Sequence, residues 1–397
     1  MTFDVTALRA QFPSLDSGTA FFDGPGGSQV PREVGDAVAA VLTSPISNRG
    51  SVTPSERLAD EVVVRARATF GDFLGSDPAG VVFGRSMTAL TYEMARALAR
   101  TWAPGDEVVV TRLDHDANIR PWVQAAESAG ATVRWLDFDP ETGELDPVEP
   151  LLSERTRLVA VTAASNLIGT RPDVRAIADR AHEVGAVVHV DGVHYCAHTL
   201  ADRVALGADV LVCSPYKFLG PHCGVLAADP GWLASVHPDK LLPSSNAVPE
   251  RFELGTLPYE LLAGAAAAVD VIAGVAGDPA AGRRAALTSS WVAIEAHEDR
   301  LRERVEKGLA DLGATAYSRA GRRTPTLLAA FAGHPSGEVR AHLAAADINA
   351  PNGSFYALEA SRRLGLGDDG ALRIGIAPYT NDEDVDRLLA ALRALVG

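Results

Sequence analysis

Cysteine is scarce in this chain. Its 397 residues hold three, Cys196, Cys213 and Cys223. The number is odd and the spacing is not that of a metal site, which argues against a disulfide framework and a zinc knuckle and favours a reduced, cytoplasmic protein. Long apolar runs are missing too. The most apolar stretch, residues 261–276, is rich in Ala and Gly and carries Asp270, so it reads as a packed helix and not as a membrane span. The N-terminus has no basic start followed by an apolar run, so no secretory signal is expected. Positive charge is in deficit: 36 Lys and Arg against 51 Asp and Glu leave a net charge of −15. That balance argues against a nucleic-acid surface and against an anionic membrane as partner. The chain also lacks a Gly-x-Gly-x-x-Gly after its first strand and any Gly-x-x-x-x-Gly-Lys-Ser/Thr, which removes the common nucleotide folds.

The sharpest deficit is in lysine. Lys217, Lys240 and Lys307 are the only lysines among the 36 basic residues. Arginine serves wherever plain positive charge is wanted, but it cannot become a neutral amine nucleophile, and lysine can. Lys240 follows the polar run His237-Pro238-Asp239 and Lys307 lies on a charged helical stretch, so both suit the surface. Lys217 stands in Ser214-Pro215-Tyr216-Lys217-Phe218-Leu219-Gly220-Pro221, just past an apolar run.

What is present describes an α/β protein. Apolar strand-like runs at 81–83, 107–111, 132–136, 158–162, 186–190 and 209–213 alternate with helical patterns at 88–101, 117–129 and 172–184. That alternation predicts a mostly parallel central sheet with helices on both faces, and in such sheets ligands bind at the carboxyl ends of the strands. After Leu254 the texture changes: helical stretches at 259–276 and 284–312, strands at 326–331 and 372–376, and a final amphipathic helix at 382–395. The length exceeds one ordinary core. The expectation is a large domain over residues 21–258 and a smaller α/β domain from residues 1–20 and 259–397.

The strand ends carry chemistry. Asp191 closes the run Val187-Val188-His189-Val190, and a carboxylate there can keep a pyridine nitrogen protonated, as pyridoxal 5′-phosphate (PLP) requires; the same Asp equally serves as a turn cap. Lys217 suits a partly desolvated amine reaching an aldehyde, with Ser214 and Tyr216 beside it for a phosphate. Gly84-Arg85-Ser86-Met87-Thr88 follows a strand and opens a helix, a phosphate-binding geometry. His115 and Asn166 follow two further strands.

Taken together these pieces resemble the class V aminotransferase family of PLP fold type I enzymes, and within it the cysteine desulfurase-like branch. The likeness runs through Phe22-Asp23-Gly24-Pro25-Gly26-Gly27, Asp114-His115-Asp116-Ala117-Asn118, Ala164-Ser165-Asn166-Leu167-Ile168-Gly169-Thr170, Val190-Asp191-Gly192-Val193-His194, Ser214-Pro215-Tyr216-Lys217, Arg251-Phe252-Glu253-Leu254-Gly255-Thr256 and Leu372-Arg373-Ile374-Gly375. The resemblance implies that Lys217 carries the cofactor as a Schiff base and moves protons, that Asp191 pairs with the pyridine nitrogen, and that His115 stacks on the ring as a second acid–base group. Asn166 and His194 would stand near the phenolic oxygen, and His194 sits where related desulfurases often have Gln. Ser86, Met87 (through its backbone N–H), Ser214 and Tyr216 would surround the phosphate. Thr256 would reach the phosphate of a neighbouring subunit, implying a homodimer. Arg373, with Asn166, would bind the carboxylate of an amino-acid substrate.

Two departures stand out. Desulfurases carry a mobile loop with a nucleophilic Cys, whereas the matching segment here, Ile348-Asn349-Ala350-Pro351-Asn352-Gly353-Ser354-Phe355-Tyr356-Ala357, has none. Tyr216 also replaces the usual His. The resemblance therefore implies a desulfurase-like or C–S lyase β-elimination without a persulfide cysteine. Transamination and epimerisation are its rivals, and a PLP-fold binding protein without activity is a further one. Asn352, Ser354 and Tyr356 are candidate contacts for the substrate side chain.

Overall fold

A computed structural model describes residues 3–397. Seven strands form the central sheet: β2 (Val81–Gly84), β3 (Glu107–Thr111), β4 (Thr132–Leu136), β5 (Thr156–Thr162), β6 (Val187–Asp191), β7 (Val210–Cys213) and β8 (Gly224–Ala228), in the order β2-β8-β7-β6-β5-β3-β4. Neighbours are parallel except at β8, which runs against both β2 and β7. The mostly parallel sheet expected from the sequence is thus present. Six of its strands fall where apolar runs predicted them; β8 does not appear in that pattern, because no helix separates it from β7.

Alternate side chains explain why the inner strands read as unbroken apolar runs. Val109, Val159, Val161, Val188, Val190 and Leu211 point to one face, where the helices Pro54–Leu74, Val174–Glu183 and Tyr259–Gly274 supply Phe70, Ile177 and Leu262. Val108, Val110, Leu158, Ala160, Val210 and Val212 point to the other, packed by Met94 of the helix Met87–Ala99 and Trp122 of Arg120–Ala129.

The second core surrounds a smaller antiparallel sheet of β9 (Thr315–Ala316), β10 (Thr326–Ala330), β12 (Asn352–Gly353) and β13 (Ala371–Gly375), in the order β12-β13-β10-β9. The helices Ser336–Ala345 and Asp382–Val396 cover it. Near the N-terminus β1 (Ala20–Phe21) runs parallel to β11 (Ile348–Asn349), and Asp23 bridges to Gly375.

The helix Tyr259–Gly274, which the sequence reading gave to the smaller domain, packs with the large sheet: Leu262, Ala265, Val269 and Ile272 are buried in its core. The 29-residue helix Arg283–Asp311 spans both cores, its first half through Leu287, Trp291 and Ile294 and its second through Leu301, Val305 and Leu309. We place the division between domains within this helix. No helix of the described residues is long and apolar enough to cross a membrane.

Candidate active site

Because the strands of a parallel sheet end on one edge, the ends of five strands and the turns after them meet there. The turn after β2 brings Ser86 and Met87, that after β3 brings His115, that after β5 Asn166, that after β6 Asp191 and His194, and that after β7 Ser214, Tyr216 and Lys217. All nine line one cavity of about 510 Å³, mouth included, together with Thr88, Thr162, Ala164 and Val193. Arg373 and Thr256 are not among the lining residues. Arg373, on β13, adjoins the cavity through Asn166, whose carbonyl accepts from its Nη1 at 2.9 Å. Thr256 lies in an exposed bend before the helix Tyr259–Gly274. A wider groove, bordered by Asp146, Arg180 and Arg322, gathers none of the residues singled out from the sequence.

Two glycines make the close approaches. A Cβ at Gly224 on β8 would stand 2.2 Å from the carbonyl carbon of Ser86 and 2.5 Å from the Met87 nitrogen. Only glycine lets the helix Met87–Ala99 start this close to the sheet, where Ser86 Oγ caps it by accepting from Ala89 N–H (3.1 Å). A Cβ at Gly375 would collide with the Pro25 ring. That packing seats the turn Gly24–Gly26, whose Pro25 carbonyl accepts a hydrogen bond from Lys217 Nζ.

Burial dominates the electrostatics. It pulls the Lys217 amine down from 10.5 to about 7; Arg373 adds to the fall and Asp191 opposes it. Asp191 is 4 % exposed. Burial raises its carboxyl to about 6, against the Val193 N–H, which donates to Oδ1 at 2.8 Å, and against the charge of Lys217. His115 is pushed down to about 4, again mainly by burial and then by Lys217. Its Nδ1 accepts from Ala117 N–H (3.0 Å), and its ring stacks on Tyr356 with centroids 5.4 Å apart. The Arg373 guanidinium, 2 % exposed, falls to about 9 by burial, with Asp23 opposing. It lies 3.6 Å from the centroid of the Phe355 ring.

Part of the segment expected to face the substrate packs against residues that line the cavity. Tyr356 covers His115, its carbonyl accepts from Asp116 N–H (2.7 Å), and the Phe355 carbonyl accepts from Asn166 Nδ2 (2.9 Å). Both residues adopt positive φ, 52° and 60°. Asn352 turns elsewhere and donates to Ser336 Oγ at 3.2 Å. Sequence reasoning missed Thr162, the Pro25 carbonyl and Phe355 as parts of this site. Asp114, which buttresses it, was quoted from the sequence without a role. Its side chain accepts from Asn118 Nδ2 (2.6 Å) and Thr162 N–H (3.0 Å), and burial raises its carboxyl to about 8.

These residues fit PLP. Three buried polar atoms around the cavity, Asn166 Oδ1, His194 Nδ1 and Arg373 Nε, have no protein partner. Buried polar atoms ordinarily find one, so three at one site mark it as built for a polar ligand. A helix start for a phosphate, a carboxyl for a ring nitrogen and an amine for an aldehyde complete the set.

Residues 20–388 match the family described as aminotransferase class-V. An uncharacterized protein of Mycobacterium tuberculosis is 33% identical, covering all of both chains. An aminotransferase-like protein of Gibberella zeae is 30% identical over 100% of this chain and 99% of its own. The crystal structure of the cysteine desulfurase CsdA from Escherichia coli superposes with a TM-score of 0.87 at 26% identity, covering 100% of this chain and 99% of that one. With the Lys217 turn, the fold and these likenesses in agreement, the chain belongs to the class V aminotransferase family, in its cysteine desulfurase-like part, and is a PLP-dependent enzyme of fold type I.

Proposed function

We propose that the enzyme acts on an amino acid in the manner of a C–S lyase, expelling a β-substituent without using a protein thiol as sulfur acceptor. One observation carries this reading: a buried amine and carboxyl share one cavity that no cysteine lines, with a buried guanidinium adjoining it through Asn166. Cys196, Cys213 and Cys223 are all buried. Burial raises the Cys223 thiol to about 12 and the Cys213 thiol well above its usual value, which makes both poor nucleophiles. Where desulfurases carry their thiol loop, this chain places Phe355 and Tyr356 against Arg373 and His115.

Bound PLP supplies an electron sink for negative charge at the substrate α-carbon. The chain supplies the rest. Ser86, Ser214, Tyr216 and the helix start at Met87 would hold its phosphate. Asp191 would keep a proton on its ring nitrogen. Arg373 takes the α-carboxylate in a two-pronged hydrogen bond, with Asn166 alongside. Lys217, close to neutral, would hold the aldehyde and serve as the base for the α-proton; His115, neutral and fixed through Nδ1, would stand beside the ring as a second acid–base group.

A homodimer accompanies this reading. Thr256 and Leu254 are exposed on one bend and Leu242 is 96 % exposed nearby in sequence, which supports an apolar surface covered by a second copy whose phosphate Thr256 reaches. The second reading, transamination, has in its favour the aminotransferase-like name of the Gibberella zeae relative. Incubation with L-cysteine and other β-substituted amino acids separates the two. Pyruvate is expected from elimination. A keto acid that keeps its whole side chain, with the cofactor left in its amine form, would reject elimination. Replacing all three cysteines is expected to leave turnover intact, and loss of activity on changing Cys196 alone would restore a thiol to the mechanism.

A further inference from the structure

His194 lines the cavity, yet both hydrogen bonds to its ring come from the other domain. Its Nε2 lies 2.9 Å from Thr326 Oγ1, on β10, and 3.0 Å from Thr324 Oγ1, just before β10. All three residues are buried. Its Nδ1 has no partner in the protein. The groups around the ring are cationic or can become so: His198, whose ring meets it edge-on at 4.8 Å, then Lys217 and Arg373. Glu298, bonded to His198 Nδ1 at 3.0 Å, stands one residue further out. Burial and those charges hold His194 well below 6.5, so the imidazole is neutral and carries one proton, on one nitrogen or the other.

The hydroxyl protons decide which. A buried hydroxyl has one proton to give and needs an acceptor for it. Thr324 Oγ1 has the Gly169 carbonyl within reach at 3.4 Å. Thr326 Oγ1 has a single recorded partner, His194 Nε2. A proton on Nε2 would leave the Thr326 hydroxyl with nothing to donate to. A proton on Nδ1 satisfies it.

We propose that Thr326 is a positioning residue that, through its hydroxyl, holds His194 in the Nδ1–H tautomer and so turns an N–H donor toward the cofactor's phenolic oxygen. The inference rests on the PLP reading of the cavity and adds a residue that the strand-end motifs do not contain. It also ties the donor to the smaller domain, because the Thr324–Thr326 segment sets it from across the junction. The segment is anchored there by Thr324 N–H donating to the Gly169 carbonyl at 2.8 Å.

A donor at the phenolic oxygen favours its ionised form, so losing it makes that oxygen more basic and moves the pH-dependent change in the visible absorbance upward. Holoenzyme carrying Thr326→Val, which keeps the shape and removes the hydroxyl, should show that midpoint raised by about one pH unit, tenfold in proton affinity. Thr326→Ser should restore the native midpoint. In a His194→Gln background the side-chain amide brings its own N–H, and Thr326→Val should then change nothing. A native midpoint in Thr326→Val, or the same shift in the His194→Gln background, overturns the assignment. A second measurement needs no folded variant at position 326: in ¹⁵N-histidine-labelled protein, the signals lost in His194→Gln should show the proton on Nδ1, and a proton on Nε2 refutes the proposal. If purified protein binds no PLP, the reading of the cavity fails, while the nitrogen signals still decide the tautomer.

Discussion

The reactivity of the Lys217 amine against pH tests the site at its centre. In water a lysine titrates near 10.5, and in this cavity Lys217 falls to about 7. At pH 7 that raises the neutral, nucleophilic fraction from roughly 1 in 3000 to about half. Protein stripped of cofactor, exposed briefly to PLP and quenched with borohydride, should therefore carry the pyridoxyl label on Lys217, with a midpoint near neutrality when labelling is followed from about pH 5 to about pH 10 by peptide mass spectrometry. The causes of the shift give two further signs. Arg373 lowers the Lys217 value and Asp191 raises it, so Arg373→Met should move the midpoint up and Asp191→Asn should move it down. Labelling of Lys240 or Lys307 ahead of Lys217, or a Lys217 midpoint left near 10.5, would refute the reasoning, and so would shifts of the wrong sign in the two variants.

Three other perturbations have definite directions. Between pH 7 and 10.5 the unfolded chain binds a proton at Lys217 that the folded chain does not, so this lysine's contribution to stability grows with pH across that window. Cofactor-free Lys217→Met should accordingly be more stable than the native chain in denaturant titrations, by a margin largest at and below pH 7 that closes toward pH 10.5. Arg373→Lys loses the two-pronged geometry; at about 1.5–3 kcal/mol for a charged hydrogen bond, kcat/KM for amino acids should fall roughly tenfold to a hundredfold, and an unchanged value would remove Arg373 from substrate binding. Gly224→Ala forces a methyl into the start of the helix Met87–Ala99. Overpacking of this kind costs about 1–3 kcal/mol, and the variant should bind PLP more weakly as well as melt earlier; native affinity with a lowered Tm would separate the glycine from the phosphate site.

Much of this site could be read before any coordinates because a parallel sheet converts order along the chain into proximity. Five turns that follow five buried strands must share one edge, and Ser86, His115, Asn166, Asp191 and Lys217 sit on those turns. What escaped detection is what crosses the chain at long range. The Pro25 carbonyl is 192 residues from Lys217, the Phe355 carbonyl 189 from Asn166, and the Thr326 hydroxyl 132 from His194. No periodicity encodes such pairings; they follow from how the smaller sheet docks on the larger. The β8 strand escaped for a different reason: Gly224–Ala228 is mostly Gly and Ala and reverses direction without an intervening helix. The helix Tyr259–Gly274 was visible but misplaced. It is apolar over most of its circumference, with Asp270 ion-paired to Arg65 and Arg283 at its edge, the mark of a helix inside a core, and that signal outweighs its position after a change of texture.

The charges around Lys217 also have an order in time. Arg373 is nearly sealed from water and gives one recorded hydrogen bond, to the Asn166 carbonyl, although a guanidinium has five N–H groups. Its unspent donors suit a carboxylate, and its charge, offset only in part by Asp23, is the second cause of the depressed Lys217 value. In the cofactor-free site that depression keeps the amine neutral enough to attack the aldehyde of incoming PLP. In the proposed function a substrate carboxylate pairing with Arg373 would cancel much of the positive field at Lys217 and make the amine more basic, at the stage when it would have to pull a proton from the α-carbon. One buried arginine could thus serve both halves of the task, favouring a nucleophile while the cofactor is loaded and a stronger base once substrate is bound. A cationic residue in the same place that was already fully paired within the protein would serve neither.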